Sequence, residues 1–250
     1  MATAAPAQNL PLFYNGLEPL NVTQHGKMKV RRVLRMAQVG HTHAIPVTVD
    51  EFTMVQRHYP IVFSIGDNPV PIALMGLNEG VNVFIDEEGR PLDTSLYIPA
   101  YVRRYPFVFS QVPDSDRLVL CVDEAAAQFE TESSQPFFVD GKPSENLQRA
   151  LKFTEMFHAQ LDETRRFCTW LEENNMLEEK MARYDLANGE SLTMRGFRLL
   201  NSEKMNLLTD VQILELHKKG WLALLYFHLQ SLQHWQTLSR MVAQQQAAAA

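Results

Sequence analysis

The feature that most constrains the fold is a change in the hydrophobic pattern near residue 143. Before it, the first 140 residues contain short β-rich runs that are separated by turns and by two short helical patterns. After it, apolar residues starting with Leu147 and Leu151 recur close to helical spacing, and Ser144 is a favourable N-cap for that helix. This division is typical of the α+β class, in which sheets and most helices come from different parts of the chain.

A weak internal repeat connects two parts of the β-rich region. Residues 58–64 (HYPIVFS) resemble residues 104–110 (RYPFVFS), and each segment follows a short helical pattern. In the first copy, Thr48 and Glu51 form a capping box at the start of the helix. In the second copy, Pro99 suits the first helical turn. We therefore predict an antiparallel sheet system built from two related helix–strand units.

The strands of the two units are predicted from β-rich runs. The first unit favours a three-stranded meander between residues 61 and 85, with its last strand at 81–85. The second unit favours a hairpin of residues 107–109 and 118–122 around a turn at 113–116.

The acidic, Ser- and Pro-bearing segment 124–143 is typical of a linking loop, and a mainly helical part with one β-hairpin follows it. The first helix is predicted to end near residue 174, and Asn-Gly at 188–189 is a strong hairpin signal. A further helix between residues 209 and 220 has a capping box at its start and a glycine at its end. The last helix is predicted to run from residue 221 to 242.

These patterns divide the chain into four parts. Residues 1–12 and 244–250 are predicted to be a flexible N-terminus and a flexible tail. Residues 13–140 form the β-rich α+β region with the internal duplication. Residues 144–243 form the mainly helical region, which we expect to pack on it as one compact unit.

Composition excludes several classes of protein. Of 250 residues, 46% are hydrophobic, which fits a globular chain with a large core rather than a disordered one. The net charge of −6 argues against nucleic acid as a partner. Cys121 and Cys168 lie in apolar patterns and are expected to be inert core thiols. Because we find neither a membrane span nor a classical signal peptide, we expect a cytoplasmic protein, with non-classical export to the cell surface as an alternative.

A pair of histidines is the candidate metal site. If the segment His41-Thr42-His43 is a strand, both imidazoles share a face and could bind one divalent metal ion such as Fe or Zn. The alternative is that His41 and His43 are hydrogen-bonding side chains near a sheet end, with no cofactor. The sequence does not choose a third ligand, and the candidates are His58, Asp50, Glu51 and Asp86.

The residues around the two Tyr-Pro pairs are the candidate ligand site. Tyr59, Tyr105, Arg103 and Arg104 could surround one cleft, where guanidinium groups could clamp a carboxylate or a phosphate. The alternative is that the rings pack in the core and the arginines are solvated. The chain contains no phosphate-binding loop, dinucleotide fingerprint, nucleophile elbow or H-E-x-x-H motif, so no catalytic residue is assigned.

Several segments carry a family resemblance. They are residues 41–52 (HTHAIPVTVDEF), 58–63 (HYPIVF), 97–107 (YIPAYVRRYPF), 120–124 (LCVDE), 196–197 with 204–206, and 217–229 with 231–232. Together they resemble the bacterial SapC family, which is named from surface-layer proteins and is distinct from the peptide-transporter permease of similar name. The resemblance extends over about residues 13–238.

The resemblance implies an accessory or binding protein of cell-envelope, surface-layer or secreted-polypeptide handling. The family is associated with paracrystalline surface layers and serum resistance, and its relatives occur beside halogenase-like, cupin-like and hydroxylase-like proteins. A protein or peptide partner would contact the tyrosine–arginine cleft or the last helix. The alternative is a metal-dependent enzyme that modifies a peptide or small molecule with His41 and His43. The resemblance supplies no active site, so enzymatic activity and oligomeric state stay open.

Overall fold

The computed structural model describes residues 10–30, 39–111, 117–123, 125, 135–185 and 191–249. Antiparallel sheets and a C-terminal part rich in helices confirm the α+β class. No helix in these ranges combines the length and the apolar character that a membrane span requires.

The strands of the described residues are short in the first half of the chain and long in one later hairpin. They are β1 (Leu17–Pro19), β2 (Lys29–Val30), β3 (Ala44–Pro46), β4 (Ile61–Ser64), β5 (Pro71–Leu74), β6 (Phe107–Gln111), β7 (Leu118–Asp123), β8 (Gln135–Pro136), β9 (Phe138–Val139), β10 (Lys142–Pro143), β11 (Leu177–Asp185) and β12 (Ser191–Leu200).

The helices show the opposite trend, because the long ones follow residue 144. They are α1 (Val22–His25), α2 (Phe52–Val55), α3 (Ala100–Arg103), α4 (Glu145–Glu173), α5 (Ser202–Asn206), α6 (Asp210–Lys218), α7 (Leu222–Ser231) and α8 (Trp235–Ala249). Short 3₁₀ helices lie at Val49–Glu51 and Leu232–His234.

Contacts between Cα atoms divide the chain into two units that alternate along the sequence. The first unit comprises Met1–Leu34 and Arg104–His158, and the second comprises Arg35–Arg103 and Ala159–Ala250. The units therefore do not coincide with the consecutive regions 13–140 and 144–243 that the sequence pattern indicates. The residues of α4 are shared between the two units.

The first unit contains a three-stranded antiparallel sheet in the order β1-β7-β6. The predicted hairpin is confirmed in its strands, since Phe107 lies opposite Val122 and Gln111 lies opposite Leu118. Its turn at 113–116 lies outside the described residues. Phe107 and Val122 form a buried cluster with Phe137 from the β8–β9 segment and Leu147 of α4.

The second unit contains a five-stranded antiparallel sheet in the order β11-β12-β4-β5-β3. The hairpin predicted within the helical part is confirmed as β11 and β12, with its turn at 188–189 outside the described residues. It does not stand alone, because Phe197 and Arg198 of β12 pair with Ser64 and Phe63 of β4. A segment from the helical part of the sequence thus completes the sheet of the β-rich part.

The two helix–strand repeats exist, but their strands belong to different sheets. Helix α2 leads into β4 and β5 of the second unit, whereas α3 precedes β6 and β7 of the first unit. The predicted strand 81–85 is wrong, and only an isolated bridge between Ile85 and Pro91 is present there. The buried Asn82 side chain accepts a hydrogen bond from the Phe84 backbone and donates one to the Val39 carbonyl, which favours a turn over an extended strand.

The C-terminal helices follow their local signals except at one point. The first long helix agrees with its predicted ends, and the Thr209–Gln212 capping box is present at the start of α6. The single last helix that was predicted is interrupted by the 3₁₀ helix at Leu232–His234. The buried Ser231 hydroxyl donates to the His228 carbonyl (2.6 Å) and accepts from the Ile61 backbone N–H (2.9 Å). These bonds tie the chain to β4 at the interruption.

His228 also connects α7 to the sheet. Its side chain is fully buried, and Nε2 accepts a hydrogen bond from the Leu200 backbone N–H (3.2 Å). Since Nε2 accepts, the proton of the neutral ring lies on Nδ1. Burial lowers the pKa of His228 to about 3, so the ring stays neutral in the folded protein. His228 is therefore a hydrogen-bonded histidine of the core.

Candidate functional site

The predicted histidine pair lies in an irregular segment. Strand β3 begins at Ala44, so His41 and His43 precede it and the alternation of a strand does not place them on one face. His41 is exposed and His43 is half-buried. Burial lowers the pKa of His43, and the nearby Glu79 carboxylate opposes this shift.

The third candidate ligand, His58, follows α2. Burial lowers its pKa, the charges of His234 and Arg57 lower it further, and the Asp93 carboxylate opposes them. Within the described ranges, no group of three or more His, Cys, Asp or Glu side chains is arranged to hold a metal ion. Metal binding by His41, His43 and His58 stays a prediction, which elemental analysis of protein purified without chelators would test.

Two of the candidate ligand-binding residues belong to the second unit. Tyr59 is only 2% exposed, its hydroxyl donates to the Tyr97 carbonyl (3.0 Å), and its ring packs edge-on against Phe84. Burial raises the pKa of the Tyr59 hydroxyl. Arg103 is exposed, and its guanidinium donates to the Ile98 carbonyl (2.9 Å) and to the Tyr97 hydroxyl (2.8 Å).

The other two candidate residues belong to the first unit. Arg104 is buried, and its guanidinium carbon lies 5.7 Å from the Tyr14 ring centroid and 4.9 Å from that of Phe157. Tyr105 packs edge-on against Tyr14, and burial raises the pKa of its hydroxyl, with a further contribution from Asp123. The four residues are thus divided between the units, and their role in ligand binding stays a prediction.

The hollow beside Tyr59 is filled by side chains of the second unit. Its volume is about 10 Å³, and Met75, Phe84 and Val102 are among the apolar residues that line it. A space of this size holds at most about one water molecule. This hollow has no room for a larger ligand.

A buried carboxylate that the sequence assigned mainly to a helix cap organises this part of the second unit. Glu51 Oε2 accepts hydrogen bonds from the Thr48 backbone N–H and hydroxyl, both at 3.0 Å. Glu51 Oε1 accepts from the Tyr97 hydroxyl (2.9 Å) and the Ala100 backbone N–H. Burial, with a contribution from Glu51, raises the pKa of Tyr97 to about 12. Four donors occupy the carboxylate, so it joins the segments around residues 48 and 97 and holds the fold.

An open cleft of about 440 Å³ lies elsewhere in the second unit, between the C-terminal half of α4 and the end of α6. Its floor is formed by Trp170 and Trp221, each about 4% exposed. We call it the tryptophan cleft. The Gln212 side chain donates to the Asn174 side chain (2.8 Å) and connects the start of α6 to the end of α4.

Trp170 fixes a carboxylate on the opposite wall of the cleft. Its indole Nε1 donates to Glu215 Oε2 (3.1 Å), and Lys219 Nζ donates to Glu215 Oε1 (2.6 Å). The hydrogen bonds from Lys219 and then Trp170 lower the pKa of Glu215, so the carboxylate is ionised at neutral pH.

Trp221 makes the equivalent contact with a carboxylate of α4. Its indole Nε1 donates to Glu163 Oε1 (2.6 Å), and the other oxygen of Glu163 accepts from the Arg166 guanidinium. Lys219 Nζ lies 4.4 Å from the Trp221 ring centroid, in a cation–π arrangement. The cleft therefore contains two ordered sets, each made of a buried indole, a carboxylate and an exposed cation.

Sequence reasoning missed this cleft. The sequence patterns placed Trp221 at the start of the last predicted helix and assigned Trp170 no role. The available signal was the helical spacing of Glu163, Arg166 and Trp170 on α4, which places them on one side of the helix. Such spacings are common on solvated helices, and no local pattern indicates that α6 supplies the opposite wall.

Comparison with known proteins connects the chain with one family. Neither the curated proteins nor the solved structures give a match to the chain. The sequence model of the SapC family matches residues 20–238, which is most of the chain and contains both walls of the tryptophan cleft. The protein belongs to the SapC family.

Proposed function

We propose that this SapC-family protein is a non-enzymatic binding or accessory protein of bacterial envelope, surface-layer or secreted-polypeptide handling, and that it holds a polypeptide segment in the tryptophan cleft. The observation that carries the proposal is an open volume of about 440 Å³ whose floor consists of two hydrogen-bonded indoles. Ligand sites in proteins commonly have volumes of about 300–1,000 Å³.

The chemistry of the lining favours a polypeptide over a small apolar molecule. Acidic and basic side chains are equally represented along the cleft; they are Glu163, Glu173, Glu215, Arg165, Arg166 and Lys219. Tryptophan and arginine are the residue types that most often contribute strongly to protein–protein binding. A peptide supplies both the charged groups and the apolar surface that such a lining can bind.

The indole hydrogen bonds give the cleft a fixed shape. Trp170 and Trp221 are held by carboxylates from opposite walls, and the Trp221 ring also packs edge-on against Phe167 at 5.6 Å. A side chain fixed in this way loses little conformational entropy when a ligand binds. The cleft is therefore preorganised for binding.

The test is a bulky substitution at the exposed Thr169, which lines the cleft. The full chain and its Thr169→Tyr variant are applied to an array of synthetic peptides that differ in charge and aromatic content. We expect the wild type to bind a subset of the peptides and Thr169→Tyr to bind them at least ~10-fold more weakly. Thr53→Tyr, at an exposed position of α2, is the matched control and should bind like the wild type.

Two results would contradict the proposal. One is that no peptide of any class binds to the wild type. The other is that Thr169→Tyr binds the same peptides with unchanged affinity. A pull-down with bacterial envelope proteins then tests the cellular role: a partner recovered by the wild type and by Thr53→Tyr, but not by Thr169→Tyr, would connect the cleft with the envelope.

A further inference from the structure

We propose that the tryptophan cleft selects a basic polypeptide segment, in which two Lys or Arg side chains replace the protein's own Lys219 and Arg166. This inference rests on the proposed function and specifies its ligand. Each carboxylate of the cleft is bonded to a buried indole on one side and to an exposed cation on the other, and the inference depends on this difference.

On one side, each carboxylate is fixed by the floor. The indole of Trp170 binds Glu215, and the indole of Trp221 binds Glu163. Both indoles are nearly fully buried, whereas the carboxylate side chains retain 39% and 33% exposure. Each carboxylate therefore has a defined position and an open side, as a site for a cationic ligand requires.

On the other side, each carboxylate is covered by an exchangeable cation. Lys219 is four residues from Glu215 on α6 and its C-cap, and Arg166 is three residues from Glu163 on α4. The two cationic side chains are 44% and 69% exposed. Exposed pairs of this kind contribute little to stability, so an incoming cation can displace them at small cost.

The position of Lys219 shows where one ligand cation would lie. Its ammonium contacts the Glu215 carboxylate at 2.6 Å and the Trp221 ring face at 4.4 Å. A Lys or Arg side chain of a partner would make the same two contacts. Released into solvent, Lys219 loses little, because its side chain is already partly solvated.

The charge of the protein favours the same ligand class. The chain carries a net charge of −6, which attracts basic segments over long range. A third carboxylate, Glu173, also lines the cleft. An acidic segment would face all three carboxylates, and the cleft's Arg165 is already paired with Asp162 on α4 (3.1 Å).

The experiment measures binding of fluorescently labelled hexalysine to the full chain by anisotropy, with hexaglutamate and a neutral Gly-Ser peptide as competing ligand classes. We expect Glu215→Gln and Glu163→Gln each to weaken hexalysine binding ~5-fold or more. In each variant the side-chain carbonyl can still accept from its indole, so the floor is kept. We expect Lys219→Ala to tighten binding ~3-fold, because the internal competitor is removed.

The matched control is Glu145→Gln. Glu145 is also on α4 and also paired with an arginine four residues away, but it is 85% exposed and lies outside the cleft. The Glu145→Gln variant should bind hexalysine like the wild type. This result separates binding in the cleft from general attraction to an acidic surface. Thermal unfolding of every variant confirms that it is folded.

The outcomes separate this inference from the proposed function. Unchanged or weaker binding of hexalysine by Lys219→Ala would overturn the inference that a ligand cation replaces Lys219. Loss of binding in Glu145→Gln would show that hexalysine does not bind specifically in the cleft. If hexaglutamate or the neutral peptide binds more tightly than hexalysine and Thr169→Tyr abolishes that binding, the basic ligand class is wrong and the cleft remains a polypeptide site. If none of the three peptides binds, the inference of a basic ligand is wrong, and the array of synthetic peptides tests the proposed function independently.

Discussion

Glu51 and Glu215, in the same unit, both accept a hydrogen bond from an aromatic side chain, yet they lie in opposite environments. Glu51 is buried, and four donors occupy its two oxygens. Glu215 is partly exposed, with one donor from the buried Trp170 and one from the solvated Lys219.

The comparison shows how burial separates a carboxylate that holds the fold from one that can bind a ligand. A buried carboxylate must satisfy its hydrogen-bonding capacity within the protein, and its partners then have no freedom to exchange. A carboxylate at the rim of a cleft needs only enough fixed partners to hold its position. Glu51 thus joins the segments around residues 48 and 97 through buried hydrogen bonds, whereas Glu215 keeps an open side in the tryptophan cleft.

The largest effect is expected when the buried carboxylate is removed. Glu51→Ala leaves the Tyr97 hydroxyl and the Ala100 and Thr48 N–H groups without their acceptor in the interior. We expect the free energy of unfolding, measured with urea, to fall by about 4 kcal/mol. Glu51→Gln retains one acceptor oxygen and should lose less. If Glu51→Ala loses less than about 1 kcal/mol, water must replace the carboxylate as the acceptor for these donors.

A pH dependence should distinguish buried groups from cleft groups. The folded-state pKa of His228 is about 3 against 6.5 for a free histidine, so the unfolded state binds the extra proton between these values. Stability from this group is therefore complete above about pH 6.5 and decreases as the pH falls toward 3. We expect this group to account for a loss of about 2 kcal/mol in the free energy of unfolding between about pH 7 and about pH 5, where only the unfolded state takes up the proton.

The check compares urea unfolding of the wild type and His228→Gln at several pH values. Glutamine can accept from the Leu200 backbone but cannot take up the proton. The variant should be less stable at neutral pH and should show a shallower loss of stability on acidification. Parallel pH profiles would mean that His228 does not titrate between the two states.

An intermediate effect is expected at the interruption of the last helices. Ser231→Ala leaves the buried Ile61 N–H without an acceptor, and we expect a loss of about 2 kcal/mol in the free energy of unfolding. Ser239→Ala is the matched control, because that half-exposed hydroxyl bonds to the Trp235 carbonyl within its own helix. Equal losses in the two variants would argue that the bond to β4 has no special role.

The smallest effect on stability is expected at the cleft. Glu163→Gln keeps an acceptor for Trp221 and loses mainly an exposed ion pair with Arg166. The free energy of unfolding should change by less than about 1 kcal/mol, while peptide binding weakens as described above. A large loss of stability in Glu163→Gln would place this carboxylate with Glu51 among the groups that hold the fold.

The parts of the fold that depend on local signals were predictable. The α4 helix lies within a residue or so of its expected ends, and the capping boxes at Thr48 and Thr209 are present. Each of these signals involves residues within one helical turn. The turn at residues 86–90 likewise follows from its own side chains, since Asp86 accepts from the Arg90 backbone.

The wrong strand at 81–85 and the interrupted last helix have a common cause. In both places a buried polar side chain, Asn82 or Ser231, bonds to backbone groups distant in sequence. These bonds override the β-rich or helical pattern of the neighbouring residues. The pattern alone contains no information about the distant partner.

The amino-acid sequence by itself determined the α+β class, the ends of α4, the start of α6, the β6–β7 and β11–β12 hairpins and the SapC family, because these depend on neighbouring residues and on recognisable segments. Only the tertiary structure decided that β12 joins β4 and that Trp170 and Trp221 meet carboxylates 45 and 58 residues away. Packing brings such residues together, and burial then decides whether a polar cluster is sealed, as at Glu51, or open to a ligand, as at Glu215.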